Sequence, residues 1–228
     1  MKIYLFKNED EMANRSAKLF YEEYLKNSNS FKVMLSGGST PVNMYKIIIS
    51  EYKDKINWAN VLIFFGDERF ISENSSNNNY KNTYENFLKH IPIPKSNIFK
   101  IRTDIPIEKS IIDYENKIIT KTKNYKFNLI YLGIGNDGHT ASLFPDELKK
   151  KGFIIYTEKE HGNPPLKRIS VNFDLIEKAD KIIFMSNYKK KEKVLNQIIE
   201  NFETVKNKYP TTSLKNQNIY YLIAKDGY

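Results

Sequence analysis

Three short stretches of the chain gather residues that can do chemistry. The stretch "LGIGNDGHTASLFP" (132–145) carries Asp137 and His139 two residues apart in a glycine-rich run. A carboxylate so close to a histidine can fix the tautomer of the ring and raise its basicity, and imidazole is the side chain best suited to accept a proton near neutral pH. "SGGSTP" (36–41) combines two glycines, two hydroxyls and a proline. The N–H groups of Gly37, Gly38, Ser39 and Thr40 can turn inward there, and Pro41 suits the first turn of a following helix, so the segment can cradle a phosphate; the plainer alternative is a tight turn and helix cap. "FFGDERF" (64–70) sets Asp67, Glu68 and Arg69 at the end of an apolar run. Three charges in that position either face a polar cleft, where Arg69 can grip a carboxylate, a phosphate or a developing oxyanion, or form a solvated turn.

Gly133, Gly135 and Gly138 also fall at the spacing G-x-G-x-x-G after a strand-like run, with Glu158 about twenty residues on, the pattern of a dinucleotide-binding turn. Two features oppose that reading. Pro145 would interrupt the helix that must start at the third glycine, and Asp137 would set a negative charge beside a pyrophosphate. "SGGSTP" lacks the spacing and the Lys-Ser/Thr ending of a nucleotide P-loop, and the chain has no G-x-S-x-G elbow of a serine hydrolase. The other two histidines, His90 and His161, sit in ordinary loop surroundings and attract no role.

The elements that must position these residues follow from apolar periodicity. Strand-like runs occupy 2–6, 31–35, 61–65, 127–132, 153–157, 168–172, 181–186 and 219–224, and helical spacing occupies 10–26, 42–53, 80–89, 107–121 and 189–203. This alternation predicts an α/β fold with a mostly parallel sheet, in which ligands gather outside the carboxyl ends of the strands. The polar segment 72–80 reads as a surface loop ending in a helix cap. With no repeat and no linker rich in Pro, Gly or Ser, the 228 residues read as one domain, 1–228.

Composition narrows the function classes. Cys is absent, which excludes disulfides, zinc–thiolate sites and cysteine nucleophiles. The net charge of +9 is diffuse, arginine occurs only at 15, 69, 102 and 168, and Lys, Asn and Ile are abundant. A nucleic-acid partner is therefore not expected, whereas a basic chain suits an anionic substrate. No apolar run reaches the length of a membrane span, and "IYLF" is too short for the core of a secretory signal, so no membrane partner and a cytoplasmic location are expected.

Taken together, "LSGGSTP" (35–41), "FFGDERF" (64–70), "SNNNY" (76–80), "LGIGNDGHTASLFP" (132–145), "PPLKRIS" (164–170) and "YPTTSL" (209–214) resemble the 6-phosphogluconolactonase family over nearly the whole chain, in order and at similar intervals. The related glucosamine-6-phosphate isomerase/deaminases share "SGGSTP" but carry D-E-Y at the second block and I-A-F-N-E-P after the glycine–histidine pair. This chain instead reads Thr140-Ala141-Ser142-Leu143-Phe144-Pro145 and lacks the glutamate that those enzymes use in proton transfer.

The resemblance implies an open three-layer α/β/α sandwich, Rossmann-like and of the sugar-phosphate isomerase type. It implies hydrolysis of 6-phospho-D-glucono-1,5-lactone to 6-phosphogluconate in the oxidative pentose phosphate pathway, with no metal or organic cofactor and with the sugar-phosphate lactone as the partner of a monomer or weak homodimer. His139 becomes the candidate base and Asp137 its orienting group. Arg69 either stabilises the oxyanion or anchors the sugar, and Asp67 holds Arg69 or a sugar hydroxyl. Phosphate is expected on Gly37, Gly38, Ser39 and Thr40 with Arg168 and a lysine; alignment favours Lys190, and a missing glycine leaves Lys189 or Lys191 open. The rival readings are an amino-sugar phosphate deaminase or isomerase and a non-catalytic sugar-phosphate sensor.

Overall fold

Apolar runs such as "VLIFF" and "IIFMS" have no polar alternation, as strands covered on both faces require. The structure, a computed structural model, describes residues 1–146, 150–162, 165–189 and 191–225. Among them are the strands β1 (Lys2–Phe6), β2 (Phe31–Leu35), β3 (Val61–Phe65), β4 (Asp67–Arg69), β5 (Ile98–Phe99), β6 (Leu129–Gly133), β7 (Ile154–Tyr156), β8 (Arg168–Val171), β9 (Ile182–Asn187) and β10 (Ile219–Ala224). The helices are α1 (Glu9–Lys26), α2 (Val42–Ile47), α3 (Asn79–Asn86), α4 (Ile107–Lys121), α5 (Phe173–Ile176), α6 (Glu192–Glu200) and α7 (Phe202–Val205).

Seven strands form a sheet in the order β1-β10-β9-β6-β2-β3-β5, every neighbouring pair parallel. Because successive side chains leave a strand on opposite faces, each strand feeds two cores. Met34, Phe64, Ile130, Leu132 and Phe184 join one cluster with Tyr114 and Ile118 of α4 and Val194, Leu195 and Ile198 of α6. Val33, Leu35, Ile63, Tyr131 and Met185 join the other with Met12, Ala17 and Phe20 of α1 and Met44 and Tyr45 of α2. The result is the three-layer α/β/α arrangement expected from the sequence. Helix α1 is well marked locally: the Asn8 side chain accepts from Glu11 N at 2.9 Å, acids fill its first turn and Lys26 closes it.

The chain builds the sheet outward through β2, β3 and β5, then returns to place β6 on the other side of β2. The crevice beyond the carboxyl ends of β2 and β6 is thus the topological switch point, where such sheets bind ligands. Its loops are "SGGSTP" and "IGNDGHT", two of the three stretches singled out above.

For the third stretch the sequence leaves two forms open, charges facing a polar cleft or a solvated turn. Asp67–Arg69 is a strand, not a turn, and pairs antiparallel with β8, which pairs antiparallel with β7 to complete a small second sheet. Between them, Glu68 is 1% exposed and its carboxyl accepts the N–H groups of Arg69 (2.8 Å), Asn79 (2.7 Å) and Tyr80 (2.8 Å), which ties β4 to the start of α3. Burial pushes the Glu68 carboxyl up to about 8, against the lowering effect of those three donors. Since the folded chain holds this proton more firmly than the unfolded chain, the stability contributed by Glu68 declines as pH rises from the ordinary carboxylate range through 8. Glu68→Ala leaves the three buried N–H groups without an acceptor and is expected to cost about 3 kcal/mol in urea unfolding, with that part of the pH dependence abolished; a loss below about 1 kcal/mol would contradict this account.

Candidate functional site

A cavity of about 610 Å³ opens at the switch point. It is bounded by Ser36–Thr40 after β2, by residues 133–137 and His139 after β6, by Asp67 and Arg69 of β4, and by Arg168 of β8. Of the residues expected from the sequence to form the site, His139, Asp137, Asp67, Arg69, Gly37, Gly38, Ser39, Thr40 and Arg168 all line it. Lys190 lies outside the described residues. Lys191, left open as an alternative, lines the cavity just before α6.

The segment after β2 has the form of an anion nest. Gly38 takes φ +88, and among the described residues no protein acceptor receives the N–H of Gly37, Gly38, Ser39 or Thr40. Pro41 occupies the capping position of α2 rather than its first turn, with φ −81 and ψ −5.

Two of the four arginines are matched with carboxylates, Arg15 with Glu22 and Arg102 with Asp104. The two in the cavity are not, among the described residues. Arg69 and Arg168 stand directly opposite one another in the β4–β8 register. Arg69 donates to Asn77 O (2.7 Å) and Asn79 Oδ1 (3.2 Å), and Arg168 Nη2 donates to His161 O (3.1 Å). Arg168 is 8% exposed and its Nε is buried with no hydrogen-bond partner. Burial pulls its guanidinium below the usual range, with Asp67 opposing the shift and Arg69 adding to it. Like charges directly across a strand pair repel, and a buried donor without an acceptor is costly, so the pair leaves concentrated positive charge at the cavity wall.

Of the two partners the sequence leaves open for Asp67, Arg69 or a sugar hydroxyl, Arg69 is not bonded to it. Asp67 Oδ2 accepts from Ser142 Oγ at 2.6 Å, and Oδ1 accepts from Asn79 Nδ2 at 3.4 Å. Asn79 therefore mediates between the two, holding Arg69 by its carbonyl oxygen and Asp67 by its amide. Asn79 and Ser142 carried no role in the sequence reading because their partners lie 12 and 75 residues away.

In the loop after β6, His139 Nδ1 lies 2.6 Å from Asp137 Oδ1, and the His139 N–H donates to the same oxygen at 3.1 Å. Burial alone would raise the Asp137 carboxyl; the ring and backbone contacts with His139 overcome it and hold the group at about 2. An ionised Asp137 accepts from Nδ1–H, which leaves the lone pair on Nε2. The loop closes on itself through Gly135 N to His139 O (2.8 Å) and Gly138 N to Gly135 O (3.1 Å). Thr211 clamps it from outside, its N–H and Oγ1 both donating to Gly138 O at 3.2 and 3.1 Å. Instead of a helix, an isolated bridge between Thr140 and Leu143 follows, which removes the dinucleotide reading. Glu158 meanwhile pairs with Lys150 at 3.5 Å. The glycines serve the histidine itself. A Cβ on Gly135 would stand 2.1 Å from His139 Nδ1, and Gly138, at φ +82, lies against the Tyr209 ring.

One histidine differs from its expectation. His161 lines the cavity, its ring stacked on Phe144 at 3.8 Å and 4°. Phe144 also meets His139, with ring centroids 4.5 Å apart. Among the described residues no group of three or more His, Asp or Glu side chains is placed to hold a metal, and no helix is long and apolar enough to cross a membrane.

A parallel three-layer sheet with an anion nest, two opposed arginines and a histidine–carboxylate pair at its switch point is the architecture of the sugar-phosphate isomerase class. The chain belongs to the glucosamine-6-phosphate isomerase/6-phosphogluconolactonase family, whose model matches residues 7–221. It is 30% identical to 6-phosphogluconolactonase of Thermotoga maritima over 179 residues, 78% of this chain and 79% of that protein. It is 34% identical to the chloroplastic 6-phosphogluconolactonase 3 of Arabidopsis thaliana over 171 residues, 68% of this chain, and spans about half (52%) of that relative's length. The crystal structure of 6-phosphogluconolactonase from Thermotoga maritima superposes with a TM-score of 0.86 at 25% identity, covering 98% of this chain and 99% of the other.

Gly135→Ala is expected to drive the His139 ring from Asp137 while lowering unfolding stability by no more than about 2 kcal/mol. Nitrogen chemical shifts of the imidazole report the contact, and a ring still bonded to Asp137 in the variant would contradict the assigned role of Gly135.

Proposed function

We propose that this protein hydrolyses 6-phospho-D-glucono-1,5-lactone to 6-phospho-D-gluconate, the second step of the oxidative pentose phosphate pathway. The observation that carries the reading is the His139–Asp137 pair sharing one cavity with an anion nest and two arginines that lack carboxylate partners. The names of its relatives support it. So does the composition of the cavity wall: Asp67 and Asp137 are its only carboxylates among the described residues, and Ser142 spends its hydroxyl on Asp67. Among the described residues, no side chain there corresponds to the glutamate of the deaminases.

In this mechanism Nε2 of His139 takes a proton from water as the water oxygen bonds to the lactone carbonyl carbon. Arg69, held by Asn77 and Asn79, meets the oxyanion or anchors the sugar. Collapse of the tetrahedral intermediate breaks the bond to the ring oxygen, which recovers the proton from His139 and becomes a hydroxyl. Asp137 keeps the ring in the tautomer that the first step needs. The phosphate rests on the N–H groups of Gly37 to Thr40, with Arg168 and Lys191 as its cations. Of the three lysines left open, Lys191 is seen to line the cavity; Lys190 lies outside the described residues. The same reading has the protein acting in the cytoplasm as a monomer or weak homodimer.

The test is ring opening of freshly generated lactone measured against the spontaneous background. Acceleration supports the proposal; tight 6-phosphogluconate binding without acceleration marks a sensor, and ammonia release from glucosamine 6-phosphate without lactone hydrolysis marks a deaminase. His139→Asn is expected to lower kcat about a hundredfold or more, the scale of a lost general base, and full activity would remove His139 from that role. Arg168→Ala is expected to raise KM more than it lowers kcat, as when binding common to ground and transition states is lost; an unchanged KM would sink the phosphate assignment.

A further inference from the structure

Asp67 and Arg69 are two residues apart on β4, so their side chains leave the strand on the same face, and both line the cavity. Opposite charges so placed attract where water is partly excluded, and pairing would cancel the positive charge of Arg69. They are not bonded to each other, and the side chain between them is that of Asn79, 3% exposed at the start of α3. Its Oδ1 accepts from Arg69 Nη1 at 3.2 Å. Its Nδ2 donates to Asp67 O at 3.1 Å and to Asp67 Oδ1 at 3.4 Å.

This amide has one workable orientation. A guanidinium only donates and a backbone carbonyl only accepts, so turning the amide over would set donor against donor and acceptor against acceptor. The side chain is also pinned from the opposite wall. A Cβ on Gly37 would stand 2.2 Å from both Cγ and Oδ1 of Asn79, so the first glycine of the nest lies directly against the amide. From the other side, the Asn79 N–H donates to Glu68 Oε1 at 2.7 Å. The second contact of each charge draws the two apart: Arg69 donates to Asn77 O at 2.7 Å, and Asp67 Oδ2 accepts from Ser142 Oγ at 2.6 Å.

We propose that Asn79 is a positioning residue that holds Asp67 and Arg69 apart, and so keeps the Arg69 charge available to an anionic substrate. This rests on the reading that the cavity takes a sugar phosphate, and it adds the residue that keeps one wall of the cavity positive. Asparagine suits the position because it offers an acceptor to one neighbour and a donor to the other without a charge of its own. An aspartate there would itself pair with Arg69. A side chain with no polar atoms would release Arg69 Nη1 and Asp67 Oδ1 together, and the freed donor and acceptor would satisfy each other.

Calorimetric titration of 6-phospho-D-gluconate into the wild type, Asn79→Ala, Asp67→Asn and the double variant tests this. Alanine keeps the backbone N–H that Glu68 accepts, and Asp67→Asn removes the charge that would quench Arg69. Asn79→Ala is expected to bind about tenfold more weakly than the wild type, the scale of one charge-assisted contact. Adding Asp67→Asn to Asn79→Ala is expected to recover most of that loss, a coupling between the two positions that a loss of packing alone would not reverse. A crystal structure of Asn79→Ala is expected to place Arg69 within about 4 Å of an Asp67 carboxylate oxygen. Asn79→Ser, whose shorter side chain does not span the two partners, is expected to show the same pattern and carries the test if alanine leaves too little folded protein. Binding by Asn79→Ala within twofold of the wild type, a double variant that binds no better than Asn79→Ala, or a crystal structure in which Asp67 and Arg69 stay apart overturns the inference while the sugar-phosphate site stands. A wild type that binds no 6-phosphogluconate overturns both.

Discussion

Arg69 and Arg168 face each other across the β4–β8 pair, and the organisation of the site depends on keeping them there. Two guanidinium groups in register repel, and Arg168 carries a buried Nε that no protein atom accepts from. Neither is neutralised by a carboxylate at ion-pair distance among the described residues. Asp67, the carboxylate of β4 that lines the cavity, is instead engaged by Ser142 and Asn79. The two guanidinium groups therefore leave positive charge on one wall of the cavity.

The small antiparallel sheet exists to hold this arrangement beside the switch point of the large one. Its register sets the arginines opposite one another, Glu68 anchors β4 to α3 through three backbone N–H groups, and α3 in turn delivers Asn79. The loop after β6 is fixed independently. Gly135 leaves space for the His139 ring, the loop closes through its own backbone, and Thr211 clamps Gly138 from a segment 73 residues away. The His139–Asp137 pair and the two arginines thus reach one cavity from different parts of the chain. Phe144 is the side chain that touches both, being packed against His139, His161 and Arg168.

The large sheet was legible in the sequence because buried parallel strands leave continuous apolar runs: 2–6, 31–35, 61–65 and 219–224 match β1, β2, β3 and β10 residue for residue. β4 was not legible. "DER" has no apolar signal, and it becomes a strand only through pairing with residues about a hundred positions further on. β5 and α5, of two and four residues, are too short to show a period. Within the site, residues in glycine-rich or charged motifs stood out, whereas Asn79, Ser142 and Thr211 are ordinary polar residues whose importance comes from distant partners. His161 was set aside for the same reason, since nothing local records the Phe144 ring beneath it.

The central claim is that the arginine pair is held for an anion at the expense of the empty fold. Thermal melts of the wild type and Arg168→Met, with and without 6-phospho-D-gluconate, test it most directly. Replacing a buried, incompletely paired charge by an apolar side chain of similar length is often neutral or stabilising. The account predicts that Arg168→Met without ligand melts at or above the wild type and that added 6-phosphogluconate raises the Tm of the wild type but not of the variant. An unliganded variant that melts well below the wild type, yet is still stabilised by the ligand, would contradict it.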